Sequence, residues 1–191
     1  MRDDEKRRRF ELLVLPHLDA GLNLARWLTR NDQDAQDVVQ EAVLRAIRFI
    51  DGFRGENARA WLLQIVRNTC FSWLKENRPI ELAVLDDTDD VLHQIAAPSA
   101  NEPPAMAMRG VDRLQINQAI AALPVAYREV LVLRELDDFS YKEIARIADI
   151  PIGTVMSRLA RARSLMQQAL RPSERPLLSA VPKSRQSEFK P

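Results

Sequence analysis

The segment 140–163 constrains the fold of this chain most strongly, because it predicts two short helices separated by a tight turn. Ser140, followed three residues later by Glu143, forms a capping box that starts the first helix. Pro151 cannot continue that helix, and Gly153 tolerates unusual backbone angles, so the turn is predicted to end there. Apolar residues recur at helical spacing on both sides of the turn. The segment therefore predicts a helical hairpin.

The second helix of the hairpin is predicted to be basic on one face only. Val155, Leu159 and Ala162 recur at i, i+4 and i+7 and should point inward. Four polar or basic residues are assigned to the opposite face: Thr154, Ser157, Arg158 and Arg161. In a helix-turn-helix the second helix enters the DNA major groove, where arginine binds guanine edges and hydroxyls contact phosphates or bases. Taken alone, the segment fits an ordinary hairpin with a solvated basic face equally well.

The rest of the chain has helical composition throughout. No alternating run of β-branched residues predicts a strand in the 191 residues, and Leu, Ala, Arg, Glu and Gln favour helix. We predict an all-α fold of two small helical domains, residues 10–76 and 112–170, joined by a flexible acidic linker (77–111) and followed by a disordered tail (171–191). The net charge of +1 hides this segregation, since residues 76–108 hold 7 acidic groups and 1 basic group.

Catalysis and metal binding have little support in the sequence. His17 and His93 are far apart and neither lies at a metal-ligand spacing, and no glycine-rich phosphate loop occurs. The single cysteine, Cys70, is predicted to be a core residue in a reducing cytoplasm. The charged N-terminus does not resemble a signal peptide, and no apolar run predicts a membrane span. We expect a cytoplasmic protein that is not an enzyme and needs no cofactor or metal.

A helix predicted over residues 58–76 mixes cations, an amide and an aromatic ring at helical spacing. These residues are Arg59, Arg67, Asn68, Phe71 and Lys75, with Phe53 and Arg54 in the loop before the helix. Such a mixture suits unpaired nucleic acid, because rings stack on bases, amides bind base edges and cations neutralise the backbone. The alternative, which this pattern alone favours, is that the aromatic residues are core and the cations are solvated.

Several motifs in order along the chain resemble those of bacterial RNA polymerase sigma factors of the extracytoplasmic-function class. Residues 34–41 (Asp-Ala-Gln-Asp-Val-Val-Gln-Glu) resemble the polymerase-docking signature, and residues 59–68 (Arg-Ala-Trp-Leu-Leu-Gln-Ile-Val-Arg-Asn) resemble the promoter-melting helix. A third resemblance, to the family's C-terminal DNA-binding domain, lies in residues 123–135, 141–145 and 153–159. The resemblance covers roughly 15–76 and 112–167, with the expected linker between them.

The resemblance implies partners and site residues. The partners would be core RNA polymerase, through its β′ clamp helices and β flap, promoter DNA, and an anti-sigma factor. The β′ clamp helices would bind Asp34, Asp37, Gln40 and Glu41, an acidic surface that suits a basic partner. The loop 53–57 would capture an extruded base of the −10 element. Unpaired non-template DNA would contact Arg67, Asn68, Phe71 and Lys75. The −35 element would contact Thr154, Ser157, Arg158 and Arg161.

Two positions depart from the family pattern, and two other classes of function stay open. Ser72 stands where many members have aspartate, and Asp149 stands where glycine is common. A sigma-like decoy that binds an anti-sigma factor and no DNA would be expected to have a degraded recognition helix or a fused receiver domain. A dimeric helix-turn-helix repressor or activator would leave the acidic docking helix and the melting helix unexplained.

Overall fold

The computed structural model of the chain describes residues 3–55, 57–82 and 113–171, and every regular element in these ranges is helical. The helices are α1 (Asp3–Leu13), α2 (Leu18–Thr29), α3 (Asp32–Phe49), α4 (Ala58–Asn77), α5 (Arg113–Ala122), α6 (Val125–Glu135), α7 (Tyr141–Ala148) and α8 (Ile152–Ala169). Short 3-10 turns lie at Leu15–His17 and Ile50–Gly52. The predicted all-α fold with two helical regions is confirmed. Most of the predicted linker and tail lies outside the described residues.

Block 1, residues 3–82, is built around the mutual packing of α2, α3 and α4. The side chain of Asn31 starts α3 by accepting hydrogen bonds from the backbone amides of Gln33 (2.8 Å) and Asp34 (3.0 Å), which are otherwise unpaired at a helix N-terminus. The inward face of α3 is formed by Ala35, Val38, Ala42 and Ala46. The apolar pattern of this segment predicts that Ile47 points inward, but Ile47 lies beside this stripe and is 38% exposed.

Block 2, residues 113–171, contains the helix-turn-helix formed by α7 and α8. The capping box is confirmed: the Ser140 hydroxyl accepts from the Glu143 amide, and the Glu143 carboxylate accepts from the Ser140 amide at 2.9 Å. The turn follows Asp149, which has a left-handed backbone (φ 54°), and Pro151 caps α8. Gly153 lies inside α8 and not in the turn. The residue with left-handed backbone geometry in the turn is Asp149.

The two blocks pack against each other. α4 contacts α7, and α2 contacts α6. Buried apolar side chains from both blocks form one contiguous cluster, which includes Leu24 and Leu62 of block 1 and Leu133 and Ile144 of block 2. As a result, the helix predicted to hold unpaired DNA lies beside the helix-turn-helix domain.

Candidate nucleic-acid interface

The outer face of α8 differs from the predicted one at a single arginine. Arg161 is exposed, as are Met156 and Ala160. Thr154 and Ser157 are half-buried, and the Ser157 hydroxyl donates to the Thr154 carbonyl at 3.1 Å. The outer edge of α8 therefore carries one exposed arginine, Arg161, together with several small or apolar side chains.

Arg158 is not on the outer face, which corrects the sequence-based assignment. Its side chain is only 7% exposed. The physical reason is helical periodicity: position 158 follows Val155 by three residues and precedes Ala162 by four, so it belongs to the buried stripe of α8. Its guanidinium lies near Glu129 of α6, where it favours the charged form of that carboxyl. Arg158 therefore supports the packing of α8 in this structure.

Three of the side chains predicted on α4 form one cluster. The Arg67 guanidinium lies 3.9 Å from the centroid of the Phe71 ring, and its Nη1 donates to Asn68 Oδ1 at 3.2 Å. Asn68 is exposed, and so is Lys75, which lies one turn after Phe71. A cation stacked on a ring beside an exposed amide is a suitable surface for an unpaired base and its phosphate.

A carboxylate of block 2 already binds the cation of this cluster. Arg67 Nε donates to Glu129 Oε1 at 2.6 Å, and Glu129 is fully buried. Burial raises the pKa of the Glu129 carboxyl, while the guanidinium groups of Arg67 and Arg158 act in the opposite direction. The charged pair is therefore desolvated, and the attraction between its members is stronger than it would be at the surface.

The loop before α4 is held by packing and by one backbone contact. The Phe53 ring packs on Trp61 with the ring centroids 4.8 Å apart, and Arg9 Nη2 donates to the Phe53 carbonyl at 2.8 Å. Arg54 is exposed beside it. Phe53 is thus half-buried against Trp61, whereas Arg54 faces solvent.

The residues predicted to bind polymerase lie along α3. Asp37, Gln40 and Glu41 are exposed, whereas Asp34 is half-buried and accepts from Arg78 Nη2 at 3.3 Å. Gln40 also lines a shallow, largely apolar groove of about 290 Å³ between α2 and α3. The other lining residues are Leu18, Asp19, Leu22, Gln36, Val39 and Val43. The carboxylates therefore flank an apolar groove.

This groove and the contact between Glu129 and Arg67 were not predicted from the sequence. A signal for the groove was present, because Gln36, Val39, Gln40 and Val43 recur at helical spacing on α3. Glu129 had no such signal, since its partner Arg67 lies 62 residues away in the sequence.

Among the residues that the structure describes, no three His, Cys, Asp or Glu side chains are grouped so as to hold a metal ion. None of the eight α-helices described above is long and apolar enough to cross a membrane.

Comparison with known proteins covers both blocks. Residues 13–80 match the family described as Sigma-70 region 2, and residues 113–166 match Sigma-70, region 4. The chain is 36% identical over 170 residues to the RNA polymerase sigma-H factor of Pseudomonas aeruginosa, which covers 87% of this chain and 88% of that protein. It is also 36% identical over 169 residues to the ECF RNA polymerase sigma-E factor of Escherichia coli K12, covering 85% and 87%.

Solved structures show the same fold. The sigma factor RpoE of Bartonella quintana, in complex with the anti-sigma factor NepR, superposes with a TM-score of 0.63 at 30% identity, covering 84% of this chain and 96% of that one. CnrH, in complex with the cytosolic domain of CnrY, superposes with a TM-score of 0.58 at 24% identity, covering 86% and 88%.

The two helical blocks, the helix-turn-helix and the long matches identify this chain as a transcription initiation factor and not an enzyme. This chain belongs to the extracytoplasmic-function class of RNA polymerase sigma factors, which bind core RNA polymerase and promoter DNA. Because the matches run through both blocks, they do not support a free-standing dimeric regulator.

Proposed function

We propose that the cluster on α4 and the outer edge of α8 divide promoter recognition between them. Block 1 holds the unpaired non-template strand of the −10 element, and block 2 binds the duplex −35 element. The observation that carries this proposal is the contact of Arg67, Asn68 and Phe71, which joins a half-buried cation, an exposed amide and a half-buried ring on one helix. Lys75, Phe53 and Arg54 extend this surface along the DNA.

On the −35 side, Arg161 and Ser157 are the residues best placed to contact DNA. Arg161 is exposed on the outer edge of α8, and the helix presents this edge without an acidic neighbour, so the edge suits the major groove. Thr154 stands one turn earlier on the same side. The neighbouring Met156 and Ala160 provide apolar surface for a thymine methyl group. Arg158 acts from beneath as a positioning residue.

Polymerase binding is assigned to α3. Asp37, Gln40 and Glu41 would contact the β′ clamp helices, and the apolar groove beside them would supply the buried area that a charged surface alone lacks. Asp34, held by Arg78, stands at the edge of this surface. Block 2 would bind the β flap. The protein would act in the cytoplasm, where polymerase and DNA are found.

An anti-sigma factor is a further expected partner. The sigma factor RpoE of Bartonella quintana, which has the same overall fold at 30% identity, is in complex with the anti-sigma factor NepR. Such a protein would inhibit this chain by covering the polymerase-binding surface of α3 or the DNA-binding surfaces of α4 and α8.

A matched pair of charge reversals tests the polymerase assignment. Glu41 and Glu11 are both exposed and each forms an i,i+4 ion pair with an arginine, but only Glu41 lies on α3, next to the groove residue Gln40. We expect Glu41→Lys to weaken binding to bacterial core polymerase about 10-fold, since it opposes a basic partner. Glu11→Lys should bind like the wild type. Equal affinities for the two variants would remove α3 from the docking surface.

A second pair tests the −10 surface by binding of a single-stranded oligonucleotide to the holoenzyme. We expect Phe71→Ala to lose about 1–3 kcal/mol of binding, because a stacked base is lost. Arg48→Ala, which removes an exposed cation at the end of α3, serves as the control. Unchanged binding by Phe71→Ala would contradict a stacking site at Phe71, and an equal loss in Arg48→Ala would show that the loss is not specific to the α4 surface.

A further inference from the structure

Helix α1 lies beside the loop that precedes α4. The helix contacts the 3-10 turn Ile50–Gly52, which leads into this loop. Two of its cations reach across: Arg9 Nη2 donates to the Phe53 carbonyl at 2.8 Å, and Lys6 Nζ pairs with Asp51 Oδ2 at 3.2 Å. Because Lys6 and Arg9 are three residues apart, they lie on the same side of α1. One side of α1 therefore holds this segment at two points.

The helix that carries these cations is itself anchored in block 1. Phe10 and Leu13 of α1 pack against the buried apolar cluster, and the next residue, Val14, is fully buried. The Val14 amide donates to the Phe10 carbonyl at 2.9 Å, which continues the helical bonding pattern past the end of α1. Arg9 precedes Phe10, so its guanidinium extends from a backbone that is fixed by the core.

The two contacts to the loop differ in how strongly they should hold it. The side chains of Lys6 and Asp51 are 36% and 40% exposed, and solvent screens such a pair. Arg9 is half-buried and makes a hydrogen bond from a charged donor, which is stronger than one between neutral groups. Arg9 is therefore the main attachment of the loop to α1, and Lys6 assists it.

Phe53 is fixed through its ring as well as through its carbonyl. The ring packs on Trp61 of α4, with the centroids 4.8 Å apart. Gly55 lies against the ring edge, since a Cβ added there would come within 3.1 Å of Phe53 Cε2. The Phe53 amide donates to the Ile50 carbonyl at 3.2 Å. The position of Phe53 is thus defined jointly by α1, by α4 and by the loop itself.

The residues beside this fixed point are accessible to a ligand. Arg54 and Gly55 are exposed, and the Phe53 ring is only half-buried. A loop that is already ordered binds more tightly than one that must be ordered on binding, because each residue that becomes fixed loses backbone conformational entropy. The match to Sigma-70 region 2 begins at residue 13, so Lys6 and Arg9 lie before the matched segment.

We propose that Arg9 is a positioning residue for −10 recognition: its hydrogen bond to the Phe53 carbonyl, assisted by Lys6 on Asp51, holds the loop where it accepts an unpaired base. The DNA part of this proposal rests on the proposed function of block 1. The attachment of the loop to α1 does not depend on DNA. The two parts are therefore tested by separate experiments.

Proteolysis of the native full chain tests the attachment without DNA. Trypsin can cut after the exposed Arg54, while cutting after Arg67, in the middle of α4, reports unfolding of block 1. We expect Arg9→Ala to raise the ratio of the first rate to the second about 10-fold, because a charged hydrogen bond no longer opposes loop opening. Arg9→Lys, which keeps a donor, should recover part of this change.

The matched control for this digestion is Arg7→Ala. Arg7 is an exposed cation of the same helix, and it pairs with Glu11 within α1 at 3.1 Å. Its removal takes away the same charge without touching the loop, so the ratio should stay that of the wild type. A ratio that is unchanged in Arg9→Ala, or raised equally in Arg7→Ala, would overturn the proposal.

The base preference of the holoenzyme tests the DNA part. Single-stranded oligonucleotides that carry each base in turn at each −10 position are compared by competition binding. Phe53→Leu, which keeps apolar packing on Trp61 but removes the ring, identifies the position that the loop contacts. We expect Arg9→Ala to reduce the preference about 10-fold at that same position and to leave the others unchanged. Arg9→Lys should recover part of the preference, and Arg7→Ala should keep all of it.

The outcomes separate the two parts of the account. If Phe53→Leu alters a preference that Arg9→Ala leaves intact, the positioning role of Arg9 is overturned and the proposed function of the loop stands. If Phe53→Leu alters no preference, the proposed −10 function of the loop fails and the DNA part of the proposal fails with it. The proteolysis ratio then still decides whether α1 holds the loop.

Discussion

Arg158 and Arg161 differ in what surrounds their charge, although they lie three residues apart on α8. Arg161 faces solvent, whereas Arg158 is buried near Glu129. An exposed arginine is free to contact a guanine or a phosphate, while a buried one holds its helix in place. The two residues should therefore fail in different ways when truncated.

We predict that Arg161→Ala loses about 1–3 kcal/mol of binding to −35 duplex DNA and keeps the stability of the wild type. Arg158→Ala should instead lower the urea midpoint of unfolding, because it leaves Glu129 with one fewer counter-charge. Duplex binding by fluorescence anisotropy and urea titration by circular dichroism separate these effects. A fully stable Arg158→Ala that has lost −35 preference would restore Arg158 as a DNA-contacting residue.

Arg67 and Lys75 provide a similar contrast on α4. We predict that Arg67→Ala lowers the free energy of unfolding by about 3 kcal/mol, since it strands a fully buried carboxylate. Lys75→Ala removes an exposed cation and should leave stability within about 0.5 kcal/mol of the wild type. Urea titration of both variants provides the measurement. Equal midpoints would show that the pair between Arg67 and Glu129 contributes nothing to the packed state.

At the level of individual residues, the sequence identified the chemistry of these sites but not all of their geometry. Phe71 lies beside both Arg67 and Asn68 because it follows them by four and three residues, which periodicity predicts. The same spacing places Arg158 inward with Val155 and Ala162, whereas the charge of Arg158 had indicated an exposed position. The Glu129 contact depends on how the blocks pack, which local spacing does not encode.

Helix α7 is the element whose start is most clearly determined by local chemistry. Glu143 accepts hydrogen bonds from the Ser140 hydroxyl and amide, and also from Asn57 of block 1. The bonds from Ser140, followed by the weaker contribution of Asn57, hold the pKa of the Glu143 carboxyl below its ordinary value. The charged form of Glu143 is therefore the form that the folded chain stabilises.

This lowered pKa has a defined sign in a pH titration. The contribution of Glu143 to stability is fully present above the ordinary value of 4.5 and is lost as the pH falls through the lower folded-state value. We predict that wild type and Glu143→Gln differ in melting temperature at pH 6 and converge toward pH 3. A difference that stays constant between pH 6 and pH 3 would contradict this assignment.

At the level of elements, the helices of the described ranges were largely predictable. The Asp-rich start of α3 and the capping box of α7 are local signals, and the structure begins both helices there. The α2–α3 groove was not predicted, because it forms only when Leu18 and Val39 from two helices come side by side. Residues 79–82 were assigned to an irregular linker but are helical, with Glu81 paired to arginines of α2 and α6.

The whole molecule combines two requirements that oppose each other. The proposed promoter recognition assigns α4 and α8 to separate DNA elements, yet α4 is packed against α7, and Glu129 of block 2 binds Arg67. Motifs in the sequence indicated both blocks and their order. They did not indicate the packing, because Arg59, Arg67 and Gln64 find their partners more than 60 residues away in the sequence.

The central claim is that this chain directs polymerase to promoters by binding two separated elements. The most direct test is transcription in vitro, with purified full chain and bacterial core polymerase on pooled genomic fragments, followed by sequencing of the transcript starts. The account predicts starts that share one motif near −10 and another near −35, with use of the −35 motif weakened in Arg161→Ala. Starts that lack any shared upstream pair, or no transcription beyond that of core polymerase alone, would contradict it.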